Sequence, residues 1–193
     1  MGREPGNVTA ALIPNAKDYY ATRAKNFKSN DVSEYMQNLG ISPTIVDLID
    51  YDDPADIKHK LTQYDLVWVM GGNTFCLRHE MKRSGFDQII KEVIQNGVVY
   101  GGDSAGAIVA GNSIRGIEYA DEPEFAEEAH YDGLNLTPHF ILPHTDSTMF
   151  GDAVEKARDM HRDDPTLITL TDTQALIIDG ESEAIATGPL PYA

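Results

Sequence analysis

The sequence predicts an α/β fold, a mostly parallel sheet flanked by helices on both faces. Three observations carry that prediction. Short apolar runs of β type alternate with helical stretches from residue 8 to residue 110. The strongest of those runs end in glycine-rich turns, at Gly71-Gly72-Asn73-Thr74 and at Gly101-Gly102. Strand, helix, strand, helix at this spacing builds parallel pairs, because each strand returns beside its neighbour through a helical crossover.

Taken in order, residues 8–14 (VTAALIP) read as a buried strand, and residues 17–39 as one or two helices stopped by Gly40. Residues 44–49 (TIVDLI) read as a second strand. Asp53 is placed to cap a short helix with Pro54 in its first turn, running to Leu61. Residues 65–70 (DLVWVM) make the strongest strand of the chain. Helices over 75–83 and 86–95 follow, closed by Asn96-Gly97, and residues 98–100 form a strand that runs into Gly101-Gly102-Asp103-Ser104-Ala105-Gly106. A short helix continues to about Ala110. Beyond it the pattern is less regular. Residues 118–132 are acidic, carry a proline and lack a period, which predicts a surface loop. Residues 140–142 read as a short strand, 152–161 as a helix, and 167–170 with 175–178 as a terminal pair of strands. No repeat, low-complexity linker or domain boundary interrupts the pattern, so residues 1–193 are expected to form a single domain.

Composition narrows the function. The 193 residues are 41% apolar and 24% charged, an ordinary globular balance that excludes a disordered tail, a collagen-like fibre and a coiled coil. No apolar run reaches the roughly 18 residues of a membrane helix. The start lacks the basic-then-apolar order of a secretory signal. A single cysteine, Cys76, excludes an internal disulfide framework and a Cys-based zinc cage. The expected address is the cytoplasm, with no membrane partner. The net charge of −16, from 31 acidic against 15 basic side chains, repels phosphate backbones and argues against nucleic-acid binding.

Gly102-Asp103-Ser104-Ala105-Gly106 fits Gly-x-Ser-x-Gly, the nucleophile elbow. The serine of such a turn sits between a strand and a helix with strained dihedrals, and the flanking glycines prevent collisions there. The turn lifts the hydroxyl above the sheet edge, where the next backbone N–H, from Ala105, can stabilise an oxyanion. Gly71-Gly72-Asn73-Thr74 lies at the C-terminal end of the preceding strand, where ligands collect in open parallel sheets. The Gly72 N–H is a second candidate oxyanion donor, and Asn73 and Thr74 are candidates for substrate binding or for capping the next helix.

A serine needs a base, and the chain has six histidines. His59, His79 and His161 fall in predicted helices and His130 in the acidic loop. His139 and His144 flank one short strand at an odd separation, so they face opposite sides and do not share a metal. His144, at the C-terminal end, is the preferred base. Its acid could be Glu118, Asp121, Asp132, Asp146 or Asp172, and pattern alone leaves Asp121 and Asp172 tied.

These residues resemble the peptidase E family of serine peptidases, which holds the aspartyl dipeptidases and is related to cyanophycinases. The resemblance rests on residues 69–75 (VMGGNTF), 100–107 (YGGDSAGA), 133–136 (GLNL) with 142–144 (LPH), and 170–176 (LTDTQAL). It implies a class I glutamine amidotransferase-like, flavodoxin-like fold and a triad of Ser104, His144 and Asp172. It tips the tie towards Asp172, with Asp121 matching a further aspartate implicated in that family. It also implies an oxyanion hole from Gly72 and Ala105, and a homodimer. Two features depart from the family. Residues 145–157 contain no arginine of the kind that holds a substrate aspartate there, and Lys156 is the only cation in that stretch. An additional strand and helix usually precede the segment matching residues 8–14, which leaves a shorter sheet, a compensating partner or further chain as alternatives.

The expected function is a serine peptidase hydrolysing short peptides, a dipeptidase or related exopeptidase, whose chemistry requires no metal or organic cofactor. The alternatives are a glutamine amidotransferase-like enzyme using Cys76, a catalytically silent domain that binds a peptide or amino acid, and an α/β-hydrolase using Ser104, Asp121 and His144.

Overall fold

The computed structural model describes residues 4–21 and 29–188. Its centre is a four-stranded parallel sheet in the order β2-β1-β3-β4, built from β1 (Thr9–Ile13), β2 (Ser42–Ile45), β3 (Leu66–Val69) and β4 (Val99–Gly102). That is the flavodoxin-like order over its first four strands. The middle strands are apolar on both sides, as a doubly covered parallel sheet requires. Alternate residues of β1 and β3 enter two separate cores. Ala11, Ile13, Val67 and Val69 face one side, and Ala10, Leu12 and Leu66 face the other. β2 lies at one edge and tolerates Pro43, which pairs with Ala10, because one side of an edge strand needs no ladder donor.

The helices follow their sequence signals closely. α1 (Asp18–Ala21) and α2 (Ser29–Asn38) fall within the expected helical stretch 17–39, of which residues 22–28 lie outside the described residues. α2 covers the second face through Val32 and Met36. α3 (Pro54–Leu61) begins with the Asp53 side chain accepting from the Ala55 N–H at 2.8 Å. α4 (Thr74–Arg83) and α5 (Phe86–Gln95) pack on the first face. In α5 the buried residues Phe86, Ile89, Ile90 and Val93 form a single stripe. α6 (Ala105–Ala110) leaves the elbow, and α7 (Gly151–Met160) buries Val154 and Ala157.

The structure departs from expectation in two places. The expected strand 44–49 is cut short at Ile45, and Leu48–Asp50 is a 3-10 turn. The cause is local. The Asp47 side chain accepts from the Ile49 N–H and the Asn15 side chain accepts from the Leu48 N–H, so these amides are taken from any ladder. The two expected terminal strands both form, but they do not pair with each other. β5 (Phe140–Leu142) pairs in parallel with β6 (Leu167–Thr169), while β7 (Gln174–Asp179) forms an antiparallel hairpin with β8 (Ser182–Thr187), a strand that sequence reading missed. The acidic stretch 118–132 is the surface loop expected, with every residue exposed or half-buried. It contains a 3-10 turn at Pro123–Phe125 and folds against the start of α4. Among the described residues, no helix is long and apolar enough to cross a membrane.

Candidate active site

Four loops meet at one rim of the molecule. Each follows the C-terminal end of a parallel strand: Gly71-Gly72 after β3, Ser104 after β4, His144 after β5 and Asp172 after β6. Ser104 adopts φ 49° and ψ −114°, a conformation that costs a side-chain-bearing residue about 1–3 kcal/mol. The flanking glycines make the turn sterically feasible. A Cβ on Gly102 would stand 2.5 Å from the Gly106 carbonyl carbon, and one on Gly106 would stand 2.1 Å from the Val69 oxygen. The turn is closed by the Gly106 N–H donating to the Asp103 carbonyl, and by the Tyr100 hydroxyl donating to the Gly106 carbonyl at 2.7 Å.

The structure brings Ser104, His144 and Asp172 together. His144 Nε2 lies 2.9 Å from Ser104 Oγ, and His144 Nδ1 lies 2.6 Å from Asp172 Oδ1. An ionised carboxylate only accepts, so it selects the tautomer with the proton on Nδ1 and leaves Nε2 free to receive the serine proton. The imidazole has φ 65° behind it and lies against the Phe150 ring, 4.9 Å between centroids. Two ties hold its loop to the Asp172 loop. The Thr145 N–H and hydroxyl both donate to the Leu170 carbonyl, and the Asp172 N–H donates to Asp146 Oδ1 at 2.8 Å.

Among the described residues, neither the Gly72 N–H nor the Ala105 N–H has an acceptor. Gly72 has φ 146°, and a Cβ there would stand 2.3 Å from the Ala16 oxygen, so only glycine fits. Asn73 and Thr74 are the candidates for substrate binding or for capping α4. Both are buried, at 4% and 0% exposure. The Asn73 amide oxygen caps α4 by accepting from the Phe75 and Cys76 N–H groups, and its NH2 donates to the Glu122 carbonyl. These bonds use both lone pairs of its amide oxygen and one of its two N–H donors.

Asp121 does not touch the histidine ring in a hydrogen bond. Its Oδ2 accepts the Thr74 N–H at 2.8 Å. Burial raises its pKa above the ordinary carboxylate range, against the opposing pull of Thr74 and the nearby His144. The other acid candidates are engaged elsewhere. Glu118 accepts from the Gly116 N–H, and Asp132 pairs with the buried Arg78 guanidinium at 2.7 Å. The remaining histidines lie apart from the serine. His139 meets Glu183, His161 bonds the Arg115 carbonyl, His79 stacks on His130, and His59 meets Gln63. Cys76 is 5% exposed, and burial pushes its thiol up to about 11, so it stays neutral at physiological pH. Among the described residues, no group of three His, Cys, Asp or Glu side chains is arranged to hold a metal ion.

Sequence reading missed two contributors, Asp103 and Trp68. Asp103 Oδ1 accepts from Trp68 Nε1 at 2.8 Å and Oδ2 accepts from the Gly71 N–H at 2.9 Å. The available signal was an acidic residue inside the elbow beside the only tryptophan, carried one strand away.

The model of peptidase family S51 matches residues 3–186. An uncharacterized peptidase of Pasteurella multocida is 33% identical over 132 residues, covering 68% of this chain and 64% of that protein. An uncharacterized peptidase of Listeria monocytogenes is 32% identical over 174 residues, covering 90% of this chain and 83% of the relative. A crystal structure from Listeria monocytogenes EGD-e, described as that of a peptidase E candidate, superposes with a TM-score of 0.82 at 28% identity, over 95% of this chain and 87% of the other.

Proposed function

The chain belongs to peptidase family S51, a family of serine hydrolases, and from that premise we propose that it hydrolyses short peptides with Ser104 as nucleophile, His144 as base and Asp172 as the acid that orients it. The single observation that carries this reading is the continuous path Ser104 Oγ, His144 Nε2, His144 Nδ1, Asp172 Oδ1, with links of 2.9 and 2.6 Å. In the forward step Oγ attacks the peptide carbonyl while Nε2 takes its proton. The imidazolium that forms is stabilised by the Asp172 carboxylate. The oxyanion receives the unengaged N–H groups of Gly72 and Ala105, the latter at the start of α6. Nε2 then protonates the departing amine, and a water repeats the sequence on the acyl-serine.

Short peptides as the substrate class follow from the resemblance to peptidase E. Strict selection of an N-terminal aspartate is not part of the proposal. Lys156 is the only cation within 145–157, and its ammonium lies 5.9 Å from the centre of the Tyr119 ring. A thiol mechanism is disfavoured by the buried, neutral Cys76. The test is Ser104→Ala against a dipeptide panel varied at the first residue, with fluorophosphonate labelling alongside. Turnover should fall by on the order of a millionfold and labelling should vanish. Turnover unchanged in that variant would end the reading, and a parent chain that neither labels nor hydrolyses would favour a binding domain.

A further inference from the structure

The segment that carries the Gly72 amide is gripped on both sides. The Gly71 N–H donates to Asp103 Oδ2, the Asn73 N–H to the Ala16 carbonyl at 2.7 Å, and the Thr74 N–H to Asp121 Oδ2. Between them, only the Gly72 N–H lacks an acceptor among the described residues. Asp103 is the residue immediately before the nucleophile, so its carboxylate joins the serine turn directly to this segment. The fit is close. A Cβ on Gly71 would stand 2.8 Å from Asp103 Oδ2 and 2.9 Å from Ser104 Cβ. The indole that orients the carboxylate crosses the strand through the space left by Gly101, where a Cβ would stand 2.6 Å from Trp68 Cε3. Two donors therefore converge on one side chain, and each needs an acceptor. A carboxylate offers two oxygens, whereas an amide offers one.

We propose that Asp103 is a positioning residue of this peptidase site: bonded at once to Trp68 Nε1 and the Gly71 N–H, it fixes the Gly72 amide relative to Ser104 and so sets the span between the two oxyanion donors. The inference rests on the serine-peptidase reading above. It assigns to Asp103 no contact with substrate. Its effect is confined to the tetrahedral state, because the ground-state carbonyl does not yet need both donors at full strength.

The test uses Asp103→Asn, Trp68→Phe and the double variant, each checked by thermal melting. In Asp103→Asn the amide NH2 must face either the indole N–H or the Gly71 N–H, donor against donor. kcat on a dipeptide should fall about 30- to 100-fold with KM nearly unchanged, close to the effect of misplacing one oxyanion donor. Affinity for a peptide boronate, which mimics the tetrahedral state, should fall by a similar factor. Trp68→Phe removes one of the two donors and should cost only a few fold. In the double variant the asparagine oxygen can accept the Gly71 N–H while its NH2 meets no donor, so kcat should recover to within about tenfold of the parent. A merely structural role predicts additive losses and no rescue. Parent-like kcat in Asp103→Asn, a loss confined to KM, or a double variant as slow as Asp103→Asn would overturn the assignment. Should Asp103→Asn fail to fold, the double variant decides alone, with a hundredfold loss counting against. Ser104→Ala is run in parallel. If it still turns over, the peptidase reading itself falls, whereas a dead Ser104→Ala beside a fully active Asp103→Asn removes only the role of Asp103.

Discussion

Asp172→Asn is expected to be slower than Asp172→Ala, although asparagine is the closer mimic in shape. Alanine deletes one charge-assisted hydrogen bond to His144 Nδ1, worth about 1.5–3 kcal/mol. At about 1.4 kcal/mol per decade, that slows the reaction about ten- to two-hundredfold. The side chain of Asp172 is 36% exposed, so water already screens the carboxylate and can replace it at Nδ1, which keeps the loss near the lower end. Asparagine acts differently. Its NH2 can turn towards Nδ1, which then has to accept, and the ring proton moves to Nε2. That nitrogen, 2.9 Å from Ser104 Oγ, can no longer receive the serine proton, and the loss approaches about ten-thousandfold. The loop stays anchored in both variants, because the bond to Asp146 comes from the Asp172 peptide N–H. Steady-state kcat on one dipeptide, with melting curves to show both variants folded, makes the comparison. Equal rates, or a faster asparagine variant, would refute the argument that Asp172 sets the tautomer.

Asp121→Asn should stay within about tenfold of the parent kcat, since its amide oxygen can still accept the Thr74 N–H. A loss matching that of Asp172→Asn would instead make Asp121 the acid of the triad. Gly106→Ala forces a methyl against the Val69 carbonyl and should cost about 2–3 kcal/mol, lowering the melting temperature by about 5–10 °C and abolishing turnover. An unchanged melting curve would contradict the tight seating of α6. Asp18 has its pKa raised to about 6, chiefly by burial, so the folded state holds this proton more tightly than the unfolded chain does. Its ionisation therefore destabilises the fold at neutral pH, and that cost fades as the pH falls through about 6 towards 4. Asp18→Asn should melt higher than the parent at pH 7, with the gain disappearing near pH 4. A constant difference across that window would show that Asp18 titrates normally.

Elements marked by glycine, proline or a capping side chain were legible in the sequence, because those residues act through local backbone chemistry. Asp53-Pro54 starts α3, and Gly85, at φ 75°, separates α4 from α5 in a conformation other residues rarely adopt. β8 was not legible, since every residue of Ser182–Thr187 is exposed and no alternation marks a buried face. The strand expected over 44–49 failed for a different reason. Its apolar pattern is real, but the competing acceptors are Asp47 and Asn15, and the latter arrives from far along the chain. The candidate site divides along the same line. Ser104, Gly72 and Ala105 sit on turns whose steric demands are written locally. The roles of Asn73, Asp103 and Asp121 depend on which groups the fold brings to them. His144 was preferred for its place at the C-terminal end of β5, but the positive φ of the residue itself, two positions beyond the strand, carries no mark in the sequence.

The joints between these loops are unequal. His144 and Asp172 follow strands that pair with each other, and their loops are bonded through Thr145, Leu170 and Asp146. Ser104 follows β4, which belongs to a different sheet from β5. The Ser104–His144 distance is therefore set by side-chain packing and a few loop bonds. Beneath it lies a small cluster of Ala110 from α6, Ile141 from β5 and Leu170 after β6, with the Asn112 N–H donating to the His139 carbonyl. Ile141→Ala should loosen this joint selectively. The truncation costs about 2–5 kcal/mol of stability, depending on how far the site collapses. Misalignment by a fraction of an ångström to 1 Å between Ser104 and His144 should lower kcat by about ten- to a hundredfold. The histidine–aspartate pair should survive, because its ties do not pass through Ile141. A downfield proton resonance from the His144 Nδ1–H, retained in the variant while kcat falls, is the expected signature. Loss of that resonance together with activity would mean that the three loops form one unit, and that the division at β4 and β5 has no mechanical consequence.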